Sequence, residues 1–348
     1  MLEVLDEYDG SNGARQAICQ EFDRRLASLE TDEHSDRDQV SRLEAVVARD
    51  PGSAFEFDNQ GWARLRGAGL DWAAGRFSCP ALLQLRQTPS DPPARLRLWV
   101  LEGTSRLTDI GALQALAPPD SLFQVASQFN CLESPGPYLA RVSDYFFDPT
   151  QGPRASISAY PGTLLRHYSA PNSEGQRFVQ QSPQPQLNLL RRVALEGVAR
   201  VESGYLLPTN VVNSGTFANL LQDHFEEIQV GFHERTQVVL GANWDGRVQG
   251  QRLISQVFTS TIAAGGYGRV DWNDAQWLLI GRQLQRAAYL GTLRAAAATR
   301  QRRAILTLIG GGVFGNPLTL IWDSILWACR QVAPTLQRDL TVVVNGRN

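Results

Sequence analysis

The chain has 348 residues, 43% of them hydrophobic and 20% charged, with a formal net charge of −2. That is the composition of a globular protein of one large domain or two small ones. It argues against a sequence-independent nucleic-acid binder, which needs a basic surface.

No run reaches the roughly eighteen apolar residues of a membrane span. The acidic start at residues 1–7 lacks the basic and apolar regions of a signal peptide. Cys19, Cys79, Cys131 and Cys329 are far apart and have no metal-ligand spacing. Reduced thiols, no bound metal and a cytoplasmic location are therefore expected.

Residues 14–49 are charged and helical in period. Ala17, Ile18, Phe22, Leu26 and Leu29 recur three or four apart, then Val40, Leu43, Val46 and Val47. A solvated helical face or docking arm is expected there. Asp50-Pro51-Gly52-Ser53 is a break. Residues 61–87 read as further helices with Trp62, Trp72 and Leu82 as core candidates, and 87–93 as a turn-rich link. The first 93 residues are thus expected to form a helical N-terminal extension.

Strand-like runs follow at 95–101, 123–129, 253–262, 305–309 and 340–344, with shorter candidates at 198–201 and 237–240. Helical patterns at 217–227 and 275–298 lie between them. Residues 169–186, rich in Pro, Gln and Ser, read as a surface loop. Alternating strands and helices predict a mixed sheet covered on both faces over residues 94–348, an α/β class fold.

The last strand candidate before the C-terminal helix pattern is the most informative. The apolar run 305–309 stops at Gly310-Gly311-Gly312, followed by Val313-Phe314-Gly315-Asn316-Pro317. Glycines remove every Cβ where the strand ends, so backbone N–H groups can approach an anion closely. Helical spacing resumes at 318–332. Strand, glycine loop and helix place a ligand at the carboxyl end of the sheet. A tight turn without ligand is the plainer reading.

Two further blocks accompany this loop. Leu107-Thr108-Asp109-Ile110 precedes the run Phe123-Gln124-Val125-Ala126-Ser127-Gln128-Phe129-Asn130, and Ala287-Ala288-Tyr289 opens a helical stretch to 298. In this order the three blocks resemble a macrodomain, the three-layer α/β/α fold that binds ADP-ribose. The resemblance covers roughly residues 100–345. It implies that Asp109, with Ile110 beside it, binds the adenine amino group. It implies that Asn130, with Gln128 before it, faces the distal ribose. The loop Gly310, Gly311, Gly312, Val313, Phe314 and Gly315 would wrap the distal phosphate and ribose.

Where the family has a glycine-rich catalytic loop, this chain has Asp144-Tyr145-Phe146-Phe147-Asp148-Pro149-Thr150-Gln151-Gly152-Pro153. With Gln-Phe-Asn-Cys-Leu-Glu at 128–133, this is similar to a divergent branch that acts on ADP-ribose attached to arginine. The implied activity is an ADP-ribosylhydrolase without cofactor. Its partner would be ADP-ribose or an ADP-ribosylated protein, not nucleic acid or membrane. The alternative is a non-catalytic module that binds ADP-ribose or a related nucleotide.

Hydrolysis at the anomeric carbon passes through an oxocarbenium-like state, which a carboxylate stabilises or serves by activating water. An arginine leaving group is itself cationic and suits an acidic pocket. Asp148, Glu133 and Asp144 are the acids nearest in sequence to the expected ribose site, with Asp148 first and Gln151 in the same loop.

Each residue also has a plainer reading. Asp109 would cap a helix, Asn130 would end a strand, and Asp148 would start an Asx turn before Pro149. Glu133 and Asp144 would be exposed acids. Arg166-His167-Tyr168 could reach phosphates or end a surface strand. Gln256 and Ser260 could touch ligand or simply be buried in a central strand. His34, His167, His224 and His233 make no metal spacing. No Walker, dinucleotide or Gly-x-Ser-x-Gly motif is present.

Overall fold

A computed structural model describes residues 12–27, 33–67, 69–103, 106–171, 177–193, 195–241 and 246–346. The acidic start at 1–7 and Leu29 lie outside them, as does part of the 169–186 loop.

The N-terminal part holds helices α1 (Asn12–Leu26), α2 (Glu33–Arg49) and α3 (Pro51–Ala54), then strands β1 (Phe55–Phe57), β2 (Ala63–Gly67) and β3 (Leu70–Ser78). After β4 (Leu96–Glu102) come α4 (Ile110–Ala115), β5 (Ser121–Ala126), α5 (Gln151–Ser158), α6 (Tyr160–Tyr168) and α7 (Ser214–Asp223). The chain closes with β6 (Gly231–Leu240), β7 (Arg247–Thr259), α8 (Ala275–Ala298), β8 (Arg303–Thr307), α9 (Leu318–Val332) and β9 (Leu340–Gly346).

The nine strands of the described residues form one mixed sheet, in the order β1-β2-β3-β6-β7-β5-β8-β9-β4. From β7 through β5, β8 and β9 to β4 the pairing is parallel; from β7 through β6 and β3 to β1 it is antiparallel. The fold class is α/β, as expected. Two glutamines on neighbouring strands mark the two covered faces. Gln124 on β5 donates to Ala288 O of α8 at 3.2 Å, and Gln256 on β7 donates to Ala155 O of α5 at 3.0 Å. Apolar, β-branched stretches such as 304–306 and 342–344 are buried, as parallel strands covered on both sides require.

The N-terminal reading needs correction. Most of residues 61–87 is strand, with helix only in the short 3-10 turn Leu82–Leu85: on β2, Ala63 and Leu65 are buried while Arg66 is exposed, a period of two. The hairpin turns through Gly67 and Gly69, both at positive φ. Strand β3 then pairs with β6 through Arg76, Phe77 and Ser78. The sheet therefore runs across the boundary expected at residue 93.

Nor is α2 a solvated arm. Val40, Leu43 and Val47 are buried, and Val46 alone of that stripe is exposed. Glu44, also buried, accepts from the amides of Val142 (2.7 Å) and Ser143 (2.9 Å) and from the Tyr168 hydroxyl (2.9 Å). The strand candidate at 198–201 is only an isolated bridge from Ala199 to Val211. The described part of 177–186 is largely exposed, as expected of a surface loop, and is anchored by buried Gln181, which donates to Asn130 O and Arg166 O.

Leu65 is fully buried on β2. Leu65→Ala should cost about 2–5 kcal/mol in denaturant unfolding, as for other buried leucines. Loss of much less would mean that the first strands are dispensable to the core.

Candidate functional site

The carboxyl ends of β5, β7, β8 and β9 open into one cleft of about 670 Å³. Its walls come from the ends of those strands, the 133–135 segment, the first turn of α5 and the glycine loop.

The glycine loop is held from behind. Asn316 is buried; its Nδ2 donates to Ile262 O (2.9 Å) and Phe314 O (3.1 Å), and its Oδ1 accepts from Thr261 Oγ1 (3.1 Å). The 264–266 strap donates from Ala264 N to Phe314 O (2.9 Å) and from Gly266 N to Val313 O (2.8 Å). Gly265 permits this approach, since a Cβ there would meet Val313 O at 2.3 Å.

Tyr289 of α8 clasps the end of β8. It donates to Thr307 O at 2.9 Å and accepts from Ile309 N at 3.1 Å. With the loop's carbonyls tied to the strap, the amides of Gly312, Val313 and Phe314 make no hydrogen bond among the described residues. Three successive free N–H groups form an anion-binding concavity. Helix α9 starts just beyond, and its N-terminal dipole adds to the attraction.

A trio of rings joins this loop to the acidic side. Tyr205 lies 5.7 Å from Phe314 and 5.1 Å from Tyr267, and Tyr267 lies 5.7 Å from Phe314. The Tyr205 hydroxyl donates to Ser134 O at 2.5 Å and that of Tyr267 to Pro135 O at 2.8 Å. The tyrosines thus fix the segment that follows Glu133.

Glu133 is 5% exposed, lines the cleft, and its Oε1 has no hydrogen-bond partner. Burial pushes its carboxyl well above the usual carboxylate range; the Arg166 guanidinium opposes this and the Asp148 charge adds to it. Its backbone N–H donates to the Tyr145 hydroxyl at 2.7 Å, which lies 2.8 Å from His167 Nε2. Burial holds His167 at a pKa of about 3. The ring is therefore neutral and Nε2 accepts the tyrosine proton. Gln128 also lines the cleft, with its Oε1 free and its Nε2 on Ser134 O at 3.3 Å.

The other expected residues fall on both sides of the line. Gly310, Gly311, Gly312, Val313, Phe314, Gln151 and Asp148 line the cleft. Gly315 does not: at positive φ it packs against the Gly265 backbone. Asp109 is withdrawn. It caps α4 through Ala112 N at 3.0 Å and pairs with Arg154. The Ile110 amide is taken by Gln151 Oε1 at 2.9 Å.

Asn130 is a turn residue. It accepts from Leu132 N and donates to Gln186, both outside the cleft wall. Asp144 caps its own turn through Arg141 N and lies outside the main cleft. Asp148 sits half-buried at the mouth, accepting from the amide and hydroxyl of Thr150, so the Asx-turn reading holds. Glu133 replaces it as the leading acid because it is buried and uncommitted.

Arg166, His167 and Tyr168 lie on α6 behind the site, neither on the surface nor at the phosphates. Ser260 lines the cleft, whereas Gln256 is buried behind it. Tyr205, Tyr267, Asn316 and Asn345 were missed. Asn345 closes β9 and lines the cleft with its Oδ1 free. Only Asn316, inside the glycine motif, carried a local signal. The described residues contain no cluster of three His, Cys, Asp or Glu suited to a metal, and no helix long and apolar enough to cross a membrane.

No family model matches this chain, and no curated protein does. Solved structures do. The poly(ADP-ribose) glycohydrolase of Thermomonospora curvata matches at 13% identity over 89% of this chain and 93% of that one, with a TM-score of 0.41. Its complex with the inhibitor ADP-HPD gives 13%, 90%, 93% and 0.43. The enzyme of Deinococcus radiodurans in complex with ADP-ribose gives 10%, 77%, 86% and 0.41. At such identities and TM-scores the likeness carries no inference about activity, which rests on the geometry above.

Two outcomes follow from this geometry. A Cβ at Gly312 would meet nothing within 4 Å, and its φ is not in the left-handed region. Gly312→Val should therefore fold with an unchanged melting temperature yet lose about tenfold or more in affinity for a diphosphate anion, because a branched side chain crowds the free amides. Unchanged affinity by calorimetry would remove the loop from the site.

The second concerns pH. In the unfolded chain Glu133 titrates near its ordinary value, about 4.3; in the folded chain it holds its proton to higher pH. Between those values the unfolded state releases a proton that the folded state keeps, so stability falls as pH rises. Glu133→Gln escapes that loss. Its melting temperature should exceed that of the wild type increasingly as pH rises above the ordinary carboxylate value of about 4.3. A constant difference as pH rises would mean that the carboxyl is not desolvated.

Proposed function

We propose that this protein is an ADP-ribosylhydrolase that releases ADP-ribose from modified protein, with arginine bearing the modification. One observation carries the reading. Three free amides and a buried, unpaired carboxylate share a single cleft. The amides suit an anion such as a diphosphate, and the carboxylate suits a reacting sugar beside it.

ADP-ribose has the chemistry to use both. Its diphosphate takes the amides of Gly312, Val313 and Phe314. The distal ribose reaches toward Gln128, whose free Oε1 accepts from a ribose hydroxyl, and toward Glu133. Asn345 Oδ1, rather than Asp109, is the acceptor offered to the adenine amino group.

Water attacks the anomeric carbon, and the new C–O bond forms as the bond to the arginine nitrogen breaks. The electron pair leaves with that nitrogen, so the substrate's guanidinium becomes a neutral guanidine. Glu133 takes the proton of the attacking water and returns it to the guanidine, which departs as a cation. A carboxylate with a raised pKa is a better base near neutral pH than an ordinary one. Asp148, at the mouth, stabilises the developing positive charge from a distance.

Glu133→Gln should lower single-turnover hydrolysis of an arginine-ADP-ribosylated protein by about 100-fold or more, the scale typical of removing one key electrostatic group. Affinity for ADP-ribose should change little, since the carboxylate matters mainly in the transition state. Wild-type rates in the variant would sink the mechanism.

Released ADP-ribose should be measured from arginine-linked protein, acidic-residue-linked protein and poly(ADP-ribose) in parallel. Release from the first alone supports the full reading. Release from the polymer or acidic residues alone retains the hydrolase and removes the arginine. Turnover of none, with measurable ADP-ribose affinity, leaves a binding module.

A further inference from the structure

Beside the main cleft lies a second chamber of about 320 Å³. The two share Glu133, Asp148 and Pro149 as a common wall. Tyr138, Asp144 and Phe147 line the chamber but not the main cleft. Tyr138 and Phe147 are 53% and 71% exposed, so both rings are open to a ligand from solvent.

Three carboxyl groups and no basic side chain are among its described lining residues. Glu133 is the second observation: nine-tenths buried, part of the chamber wall, and with Oε1 unpartnered. The Phe147 ring already accepts a guanidinium. Arg37 of α2 lies with its Cζ 5.4 Å from the ring centroid, within cation–π range.

We infer that this chamber is the leaving-group subsite, and that it holds the guanidinium of the modified arginine between the Tyr138 and Phe147 rings and the carboxylates of Asp144 and Asp148. The inference rests on the hydrolase reading for the direction of the substrate, but the chamber's charge and rings are independent of it. Two consequences separate this site from a groove that merely takes any side chain. A neutral isostere should not bind, because aromatic faces and acids both select for positive charge. Asp144, which the main cleft leaves out, becomes a specificity residue rather than a catalytic one.

The probes are N-acetyl-arginine amide and its neutral counterpart N-acetyl-citrulline amide, titrated calorimetrically into the full chain saturated with ADP-ribose. The arginine compound should bind and the citrulline compound should not. In Asp144→Asn with Tyr138→Ala and Phe147→Ala, KM for an arginine-linked substrate should rise about tenfold or more. ADP-ribose affinity should stay within about twofold. Asn at 144 can still accept from Arg141 N, and both rings are exposed, so the fold is spared.

Equal binding of the two amides, or an unchanged KM in the variant, overturns the subsite. Selective binding of the arginine compound with no hydrolysis of arginine-linked protein upholds the subsite while removing the hydrolase reading.

Discussion

A missing side chain lets the site close. A Cβ on Gly152 would lie 2.4 Å from Ala126 O and 2.8 Å from Glu133 Oε2, closer than real contacts allow. With glycine there, the end of β5, the turn that carries Glu133 and the first turn of α5 meet at one point. The carboxylate is pressed against backbone and apolar wall instead of standing in water. Its raised pKa is a result of that convergence. Any side chain at 152 would force Ala126, Glu133 or α5 itself to move.

Behind this point sits an unusual counterweight. Arg166 is fully buried, and no described carboxylate pairs with it. Neutral groups satisfy it instead: Cys131 O at 3.2 Å, Thr163 Oγ1 at 3.0 Å and His233 Nδ1 at 3.1 Å, with the Phe258 ring 3.7 Å from its Cζ. His233 can accept because its Nε2 donates to Ala74 O at 2.6 Å, and burial holds its pKa at about 3. A carbonyl of β3 thus fixes a tautomer beside the buried charge. The first strands belong to the electrostatics of the site as well as to the sheet. The guanidinium draws Glu133 back toward ionisation, yet desolvation is the larger effect. The outcome is a carboxyl group that ionises less readily than an ordinary one.

What the sequence made legible follows from how local each signal is. The parallel strands show as short apolar runs ended by turn residues, and the glycine loop shows as itself. Glu133 was visible as an acid close to that chemistry, although nothing local could rank it above Asp148. Burial decided the ranking, and burial comes from Gly152 and from tyrosines more than seventy residues away. Asp109 and Asn130 matched a motif, but their partners Arg154, on α5, and Gln186, on a later loop, absorb them. Strands β2 and β3 were hidden because only Ala63 and Leu65 betray the two-residue period, and tryptophans nearby suggested helical spacing. Glu44 looked like one charge among many on α2; its three hydrogen bonds exist only once the turn at 142–143 docks on it.

The two ends of the site carry opposite character, and this orders any ligand that spans them. Free amides of the glycine loop attract negative charge, reinforced by the start of α9. The acids at the 133 and 144–148 segments repel it. Between them the rings of Tyr205, Tyr267 and Phe314 form a wall without net charge. A ligand negative at one end and positive at the other can lie in only one direction without placing like charges together. That direction brings the junction between its two halves to Glu133, among the described residues the one buried carboxylate with an oxygen left without a partner.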